Sequence, residues 1–276
     1  MLNTNEAIAR EIRREILKAT AAAKSGHPGG SLSLAEIMTV LYFDEMKVDA
    51  NDPQNPERDR FVMSKGHATP VLYATLALKG FFPVAELASF RQINSRLQGH
   101  PDMKHIPGVD FTTGSLGQGL SGALGMALAG KLDHSPRRVY TIIGDGECQE
   151  GQIWEAAMAA SHYKLDNLVV ILDYNNLQIC GEICDVMNIE PIQDKWKAFG
   201  WHVIELDGHD FSQIRAALQG ARATKGQPTL LLAHTVKGKG ISFMENKAEW
   251  HGSAPNAEQL ALALAELAEK EVVRHE

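Results

Sequence analysis

Apolar and polar positions change their period several times along the chain, and the changes mark its elements. Between residues 5 and 24, Ile8, Ile12, Ile16 and Ala19 recur at helical spacing with Arg10, Arg13, Arg14 and Lys18 among them, which predicts an amphipathic helix. It stops at the turn-rich stretch Ser25-Gly26-His27-Pro28-Gly29-Gly30. A second helix is expected over 33–46, with Ser33 as N-cap and Glu36 completing a capping box. Phe61–Met63, Val139–Ile143, Leu168–Leu172 and Leu230–Ala233 are short, unbroken apolar runs, the pattern of parallel strands buried on both faces. Helical patterns lie between them at Gly119–Leu132, Ile153–Tyr163 and Phe211–Arg222. Strands alternating with helices predict a doubly wound α/β fold, a mostly parallel sheet with helices on both faces. That domain is expected to fill residues 1–255. The Ala-, Leu- and Glu-rich stretch 256–276 is expected to form a C-terminal helix, its pattern running from 256 to 273.

Composition narrows the reading. With 276 residues, 44% of them hydrophobic, the chain can bury a sizeable core. The net charge of −7 comes without a basic stripe, which argues against nucleic acid as a partner. No apolar run approaches membrane-spanning length and no secretory segment is evident, so a cytoplasmic protein without a membrane partner is expected. Cys148, Cys180 and Cys184 are too few and too irregular for a disulfide framework. The C-x3-C pair lacks the second ligand pair of a structural zinc site.

The most informative stretch is VYTIIGDGECQEG (139–151), followed by NLVVILDYNN (167–176). Each is an apolar strand ending in a polar turn, with a helix between them. Both turns should therefore emerge at the C-terminal edge of adjacent parallel strands, where open α/β sheets bind ligands. Asp145 offers a hard carboxylate, Asn175 an amide oxygen, and Leu177 a backbone carbonyl, ligands suited to Mg²⁺ or to Ca²⁺ or Mn²⁺. Gly144 and Gly146 free backbone N–H groups to approach a diphosphate. A lone Gly-Asp-Gly is a common turn, and Asp145 alone could simply cap the next helix. The Asn-containing strand end about thirty residues later makes the pattern specific, and together they resemble the metal and diphosphate motif of thiamine-diphosphate enzymes.

Eleven histidines are present, four of them beside glycine or proline: His27 in SGHPGG, His67 in SKGHA, His100 in QGHPD and His251 in EWHGSAP. Each alone reads more readily as a solvated loop histidine. Together with TTGSLGQG (112–119) and GDGECQEGQIWEA (144–156), and in this order over residues 5–255, they resemble the N-terminal half of transketolases. The resemblance implies the diphosphate-domain fold and thiamine diphosphate as cofactor. It places His67, His251, Gly144 and Gly146 at the diphosphate, and Asp145, Asn175 and the Leu177 carbonyl at the metal. Gly114, Ser115 and Leu116 would meet the cofactor's rings. His27, His100 and His251 would be the catalytic, sugar-facing histidines. Glu155, a candidate cofactor-site residue, and Glu150 match acidic residues that join a network across the family's dimer interface, although ordinary helix-surface charge would serve as well.

The activity implied is transfer of a two-carbon ketol group from a ketose (phosphate) to an aldose (phosphate), as in pentose phosphate metabolism. Full transketolases run to more than twice this length, and their second domain supplies a glutamate and an aromatic pocket for the aminopyrimidine, with arginines for the substrate phosphate. A separate partner chain carrying that pyrimidine-binding domain is therefore expected, in an α2β2 heterotetramer. Two departures affect substrate choice. Ser115 stands where many transketolases have proline. HTVKGKGISF (234–243) adds Lys237 and Lys239, either solvated or in contact with phosphate. The alternatives are one subunit of another thiamine-diphosphate synthase or dehydrogenase, or a non-catalytic cofactor-binding regulatory chain.

Overall fold

The structure, a computed structural model, describes residues 4–268. Helix α1 (Asn5–Ala23) starts at Thr4, whose side chain accepts from the Ala7 N–H, and ends at left-handed Lys24. A short helix α2 (Gly29–Leu32) and α3 (Ala35–Val40) follow. Then come β1 (Arg60–Met63), α4 (Thr69–Lys79), α5 (Gln118–Leu132), β2 (Val139–Gly144), α6 (Gly151–His162) and β3 (Leu168–Tyr174). A small hairpin, β4 (Leu177–Gln178) and β5 (Gly181–Glu182), leads to α7 (Ile183–Met187) and α8 (Ile192–Ala198). The remainder is β6 (His202–Asp207), α9 (Phe211–Ala223), β7 (Thr229–His234) and α10 (Ala257–Glu266). The last has the capping box formed by Asn256 and Gln259. The part of the expected C-terminal helix beyond 268 lies outside the described residues.

The main sheet runs β1-β2-β3-β7-β6, every pair parallel. Side-chain alternation splits its core in two. Phe61, Met63, Tyr140, Ile142, Val169, Ile171, Leu231 and Ala233 face the cluster built on α1, α3, α4 and α9. Val62, Val139, Ile143, Leu168, Val170, Leu172, Leu230 and Leu232 face the cluster of α5, α6 and α8. Both faces are covered, as unbroken apolar runs require, so the doubly wound fold is observed. Among the described residues no helix is long and apolar enough to cross a membrane.

Three local expectations change. Edge strand β6 was missed because HVIELD is half-exposed and mixes apolar with charged positions. α4 lacks an amphipathic signature because it is buried on nearly every side. The expected capping box at Ser33 is absent: α3 begins after Leu34 with no side-chain cap. The Ser33 hydroxyl donates instead to Gly30 O (3.2 Å) and Asp173 Oδ2 (2.9 Å), and Glu36 turns to the Arg13 guanidinium (2.6 and 2.7 Å). A distant carboxylate for Ser33 and a guanidinium for Glu36, both charge-assisted, outcompete the local cap. After α3 the chain continues as a π-helical turn over Leu41–Glu45, closed by Met46 N–H donating to Leu41 O.

Candidate active site

The segments following β1, β2, β3 and β7 leave the same edge of the sheet because all four strands are parallel. With the loops carrying His27 and Gly114 and the short turn Ala248–His251, they enclose a cavity of about 420 Å³. His27, His67, Gly114, Leu116, Gly144, Asp145, Gly146, Asn175, Leu177 and His251, all expected from sequence, line it.

Asp145 explains the spacing of the two motifs. Its Oδ1 accepts from the Gly146 N–H (2.8 Å), and its Oδ2 accepts from the N–H groups of Asn175 (2.9 Å) and Asn176 (2.6 Å). One carboxylate thus ties the end of β2 to the end of β3. Burial, then the Asp173 charge, push its carboxyl up to about 6, against the Gly146 N–H and the lysines Lys65 and Lys237. Asn175 is oriented from both ends: its Nδ2 donates to Asp173 Oδ2 (3.2 Å) and its Oδ1 accepts from Leu177 N–H (3.2 Å). The Leu177 carbonyl accepts from Lys237 Nζ at 2.6 Å.

Behind this row, fully buried Asp173 pairs with Lys65 Nζ and accepts from the hydroxyls of Thr235 and Ser33. Burial opposes ionisation, but Lys65 and these hydrogen bonds hold the carboxyl below its ordinary value. Glu147, also buried, accepts from Ser64 Oγ (2.5 Å), Gly117 N–H (2.9 Å) and Gly144 N–H (3.0 Å). It joins the segments that bring His67, Gly114 and Asp145 to the cavity. Sequence reasoning missed Lys65, Glu147 and Asp173 as site residues. The only available signal was their position inside the SKGHA, GDGE and LDYNN motifs.

Three imidazoles cluster on one wall, with ring centroids 5.3 Å apart for His27–His67, 5.4 Å for His27–His251 and 4.9 Å for His67–His251. Burial, then the Arg91 charge, lower His27 to about 4. Burial, then Lys237, lower His251 to about 3, and burial and Lys65 bring His67 well below its ordinary value. All three are neutral at pH 7, each with one N–H donor and one lone pair.

Lys237 is not solvated. Its side chain is 2% exposed, and its Nζ lies 3.3 Å from His251 Nδ1, with no acidic side chain within ion-pair distance among the described residues. Burial, then Lys65, lower its ammonium to about 8. Lys239 points elsewhere: its ammonium lies 3.6 Å from Glu245, and its carbonyl accepts from Arg13 Nε.

His100, Ser115 and Glu155 stand off the cavity. His100 is exposed at its rim, packed beside Gly114, where an added Cβ would lie 3.3 Å from the imidazole and the φ of +152° disfavours a side chain. Ser115 is exposed. Glu150 lines the cavity, whereas Glu155 lies on the exposed face of α6, outside the lining. Cys180 and Cys184 are free and exposed.

The donor set is coherent. Asp145, Asn175 and the Leu177 carbonyl present only oxygen, suited to a hard divalent cation. Beside them stand the Lys237 ammonium, without a carboxylate partner among the described residues, and three neutral imidazoles, groups that welcome an anion. The residues fit a metal–diphosphate pair.

A sequence model described as "Transketolase, thiamine diphosphate binding domain" matches residues 4–270. The chain is 49% identical over 263 residues to the 6-deoxy-6-sulfo-D-fructose transketolase subunit of Clostridium sp. (strain MSTE9), covering 95% of each. It is 44% identical over 269 residues to an apulose-4-phosphate transketolase subunit of Phocaeicola vulgatus, covering 98% of this chain and 95% of that protein. Among solved structures, transketolase from Leishmania mexicana superposes with a TM-score of 0.91 at 35% identity, over 97% of this chain but 42% of its own. The chain belongs to the transketolase family, as the thiamine-diphosphate-binding, N-terminal half of that architecture.

Proposed function

We propose that this chain is the diphosphate-binding subunit of a two-chain transketolase, that it pairs with a separate pyrimidine-domain chain in an α2β2 assembly, and that it uses Mg²⁺. One observation carries the reading: the cation ligands Asp145, Asn175 and Leu177 share a single cavity with His27, His67 and His251. The names of two relatives, each called a subunit and each matched nearly end to end, support the partner.

When bound, thiamine diphosphate supplies the electron sink that allows the C–C bond to be broken and re-formed. The chain's own residues bind and orient. Asp145, Asn175 and the Leu177 carbonyl would hold the cation. Lys237, His67, His251 and the Gly146 N–H would face the diphosphate, and Gly114 and Leu116 would pack against the rings. His27 and His251, neutral and half-buried, would hold sugar hydroxyls and move their protons, with His100 closing the rim. Expelling water from this wall strengthens each hydrogen bond offered to developing alkoxide charge. Substrates bearing an anionic terminus fit the relatives' names, which include a sulfonated and a phosphorylated sugar.

The test is ketol transfer by the chain alone and mixed with a pyrimidine-domain partner, with Mg²⁺ and thiamine diphosphate. Donors would include a ketose phosphate and 6-deoxy-6-sulfo-D-fructose. Activity in the mixture alone is expected. Full activity from the single chain would refute the two-chain reading. Metal-dependent cofactor binding without transfer from any donor would favour a regulatory chain.

A further inference from the structure

Arg91 sits in the connection that leads to His100, and its own backbone is unusual. Its φ of +57° lies in the left-handed region, which a branched or long side chain occupies at a cost. The Arg91 N–H donates to Leu97 O (2.8 Å), closing the intervening loop. The conformation turns the guanidinium inward, between two other segments.

On one side Arg91 Nη1 donates to Ser25 Oγ at 2.9 Å, two residues before His27. On the other the guanidinium lies flat against Gly99, one residue before His100. A Cβ at Gly99 would stand 2.7 Å from Arg91 Cζ, Nε and Nη2, so only glycine admits this approach. Arg91 Nε is buried without a hydrogen-bond partner, which marks the stacking rather than a full set of bonds as what holds the group. Neighbouring rings support both loops. Phe90 lies 5.6 Å beneath the guanidinium and 6.1 Å from Tyr73, whose hydroxyl donates to His100 O at 3.2 Å.

We propose that Arg91 is a positioning residue that joins the loop bearing His27 to the loop bearing His100 and so sets the spacing of the two sugar-facing imidazoles. The proposal rests on the reading of those histidines given above. Electrostatics agree with the geometry. After burial, Arg91 is the largest influence lowering both His27 and His100; His27 also feels His100 and Lys237 and touches the rings of His67 and His251. Lysine could not substitute, because it lacks the planar fork that both stacks and donates.

Two measurements test this. In the complex with the partner chain, Arg91→Ala should lower kcat/KM for the ketose donor about 10- to 100-fold, the range expected when reacting groups are displaced by about an ångström. Arg91→Lys should not restore it, added guanidinium ions should restore part of it, and the Kd for Mg²⁺–thiamine diphosphate should stay within about two-fold of wild type because Arg91 does not line the cavity. In the chain alone, ¹⁵N-histidine spectra of Arg91→Ala should show the His27 and His100 ring signals displaced most, with only smaller shifts at His67 and His251, whose rings touch His27. Ser25→Ala, which removes only the hydrogen bond, should move His27 in the same direction and serves if the alanine variant does not fold. Displacement of only one of the two rings, or a parallel loss of cofactor affinity, would overturn the proposal. If the wild-type mixture transfers no ketol group, the assigned activity fails, and the histidine spectra still decide whether Arg91 couples the loops.

Discussion

Asp145 and Lys237 hold opposite charges in one buried site, and both charges are costly without a ligand. Asp145→Asn keeps one oxygen, which can accept from Gly146 or from the Asn175–Asn176 pair but not from both, and removes the charge a divalent cation would need. Calorimetry should show Mg²⁺-dependent cofactor binding weakened about 100-fold or more. Lys237→Met should act with two signs. Removing a buried ammonium that has no carboxylate partner among the described residues should raise the Tm without cofactor. Removing a charge proposed to face the diphosphate should weaken its binding about 10-fold. A Lys237→Met chain that binds cofactor as tightly as wild type would place that lysine off the diphosphate.

Among the elements, the contact of α1 with α3 offers a pH-dependent test. Arg13 and Glu36 form a buried two-pronged ion pair, and His209, after β6, adds a third contact to Glu36 at 3.0 Å. Burial would raise the Glu36 carboxyl, but hydrogen bonding from His209 and the Arg13 charge bring it down to about 2. A folded-state value below the unfolded one means the stabilisation is complete above about 4.5 and is lost as pH falls towards 2. Urea titrations at pH 5 and pH 2 should show the wild type losing on the order of 3 kcal/mol through this group. Glu36→Gln should be less stable at pH 5 and lose less on acidification. The same carboxylate shows why helix starts are hard to read. Ser33 and Glu36 have capping-box spacing, yet each found a long-range partner instead. The unbroken strands were legible because burial on both faces leaves a one-dimensional signal. β6 and α4 were not, since one is an edge and the other is apolar all round.

For the whole molecule, α6 and its N-cap Glu150 carry the acidic residues that the family resemblance puts at a dimer interface. Its outer face shows Glu155 and a 58% exposed Met158. Met158→Asp should lower the mass of the reconstituted complex in light scattering while leaving the single chain's Tm within about 1 °C, as expected for a surface position whose burial comes only with assembly. An unchanged mass would place the contact elsewhere.

The order of SGHPGG, SKGHA, QGHPD, TTGSLGQG, the GDG motif and EWHGSAP was enough to point to the family, the unbroken apolar runs pointed to the parallel fold, and the same motifs nominated residues that the structure brings to one cavity. Those residues sit at strand ends, and the sheet carries strand ends to one edge, so local pattern implies location. The burial of Lys237, the pairing of Lys65 with Asp173, the three-way clamp by Glu147 and the seat of Arg91 between Ser25 and Gly99 were invisible. Each depends on which distant segments pack against a charged side chain, and burial and partner, rather than residue type, set what that charge does.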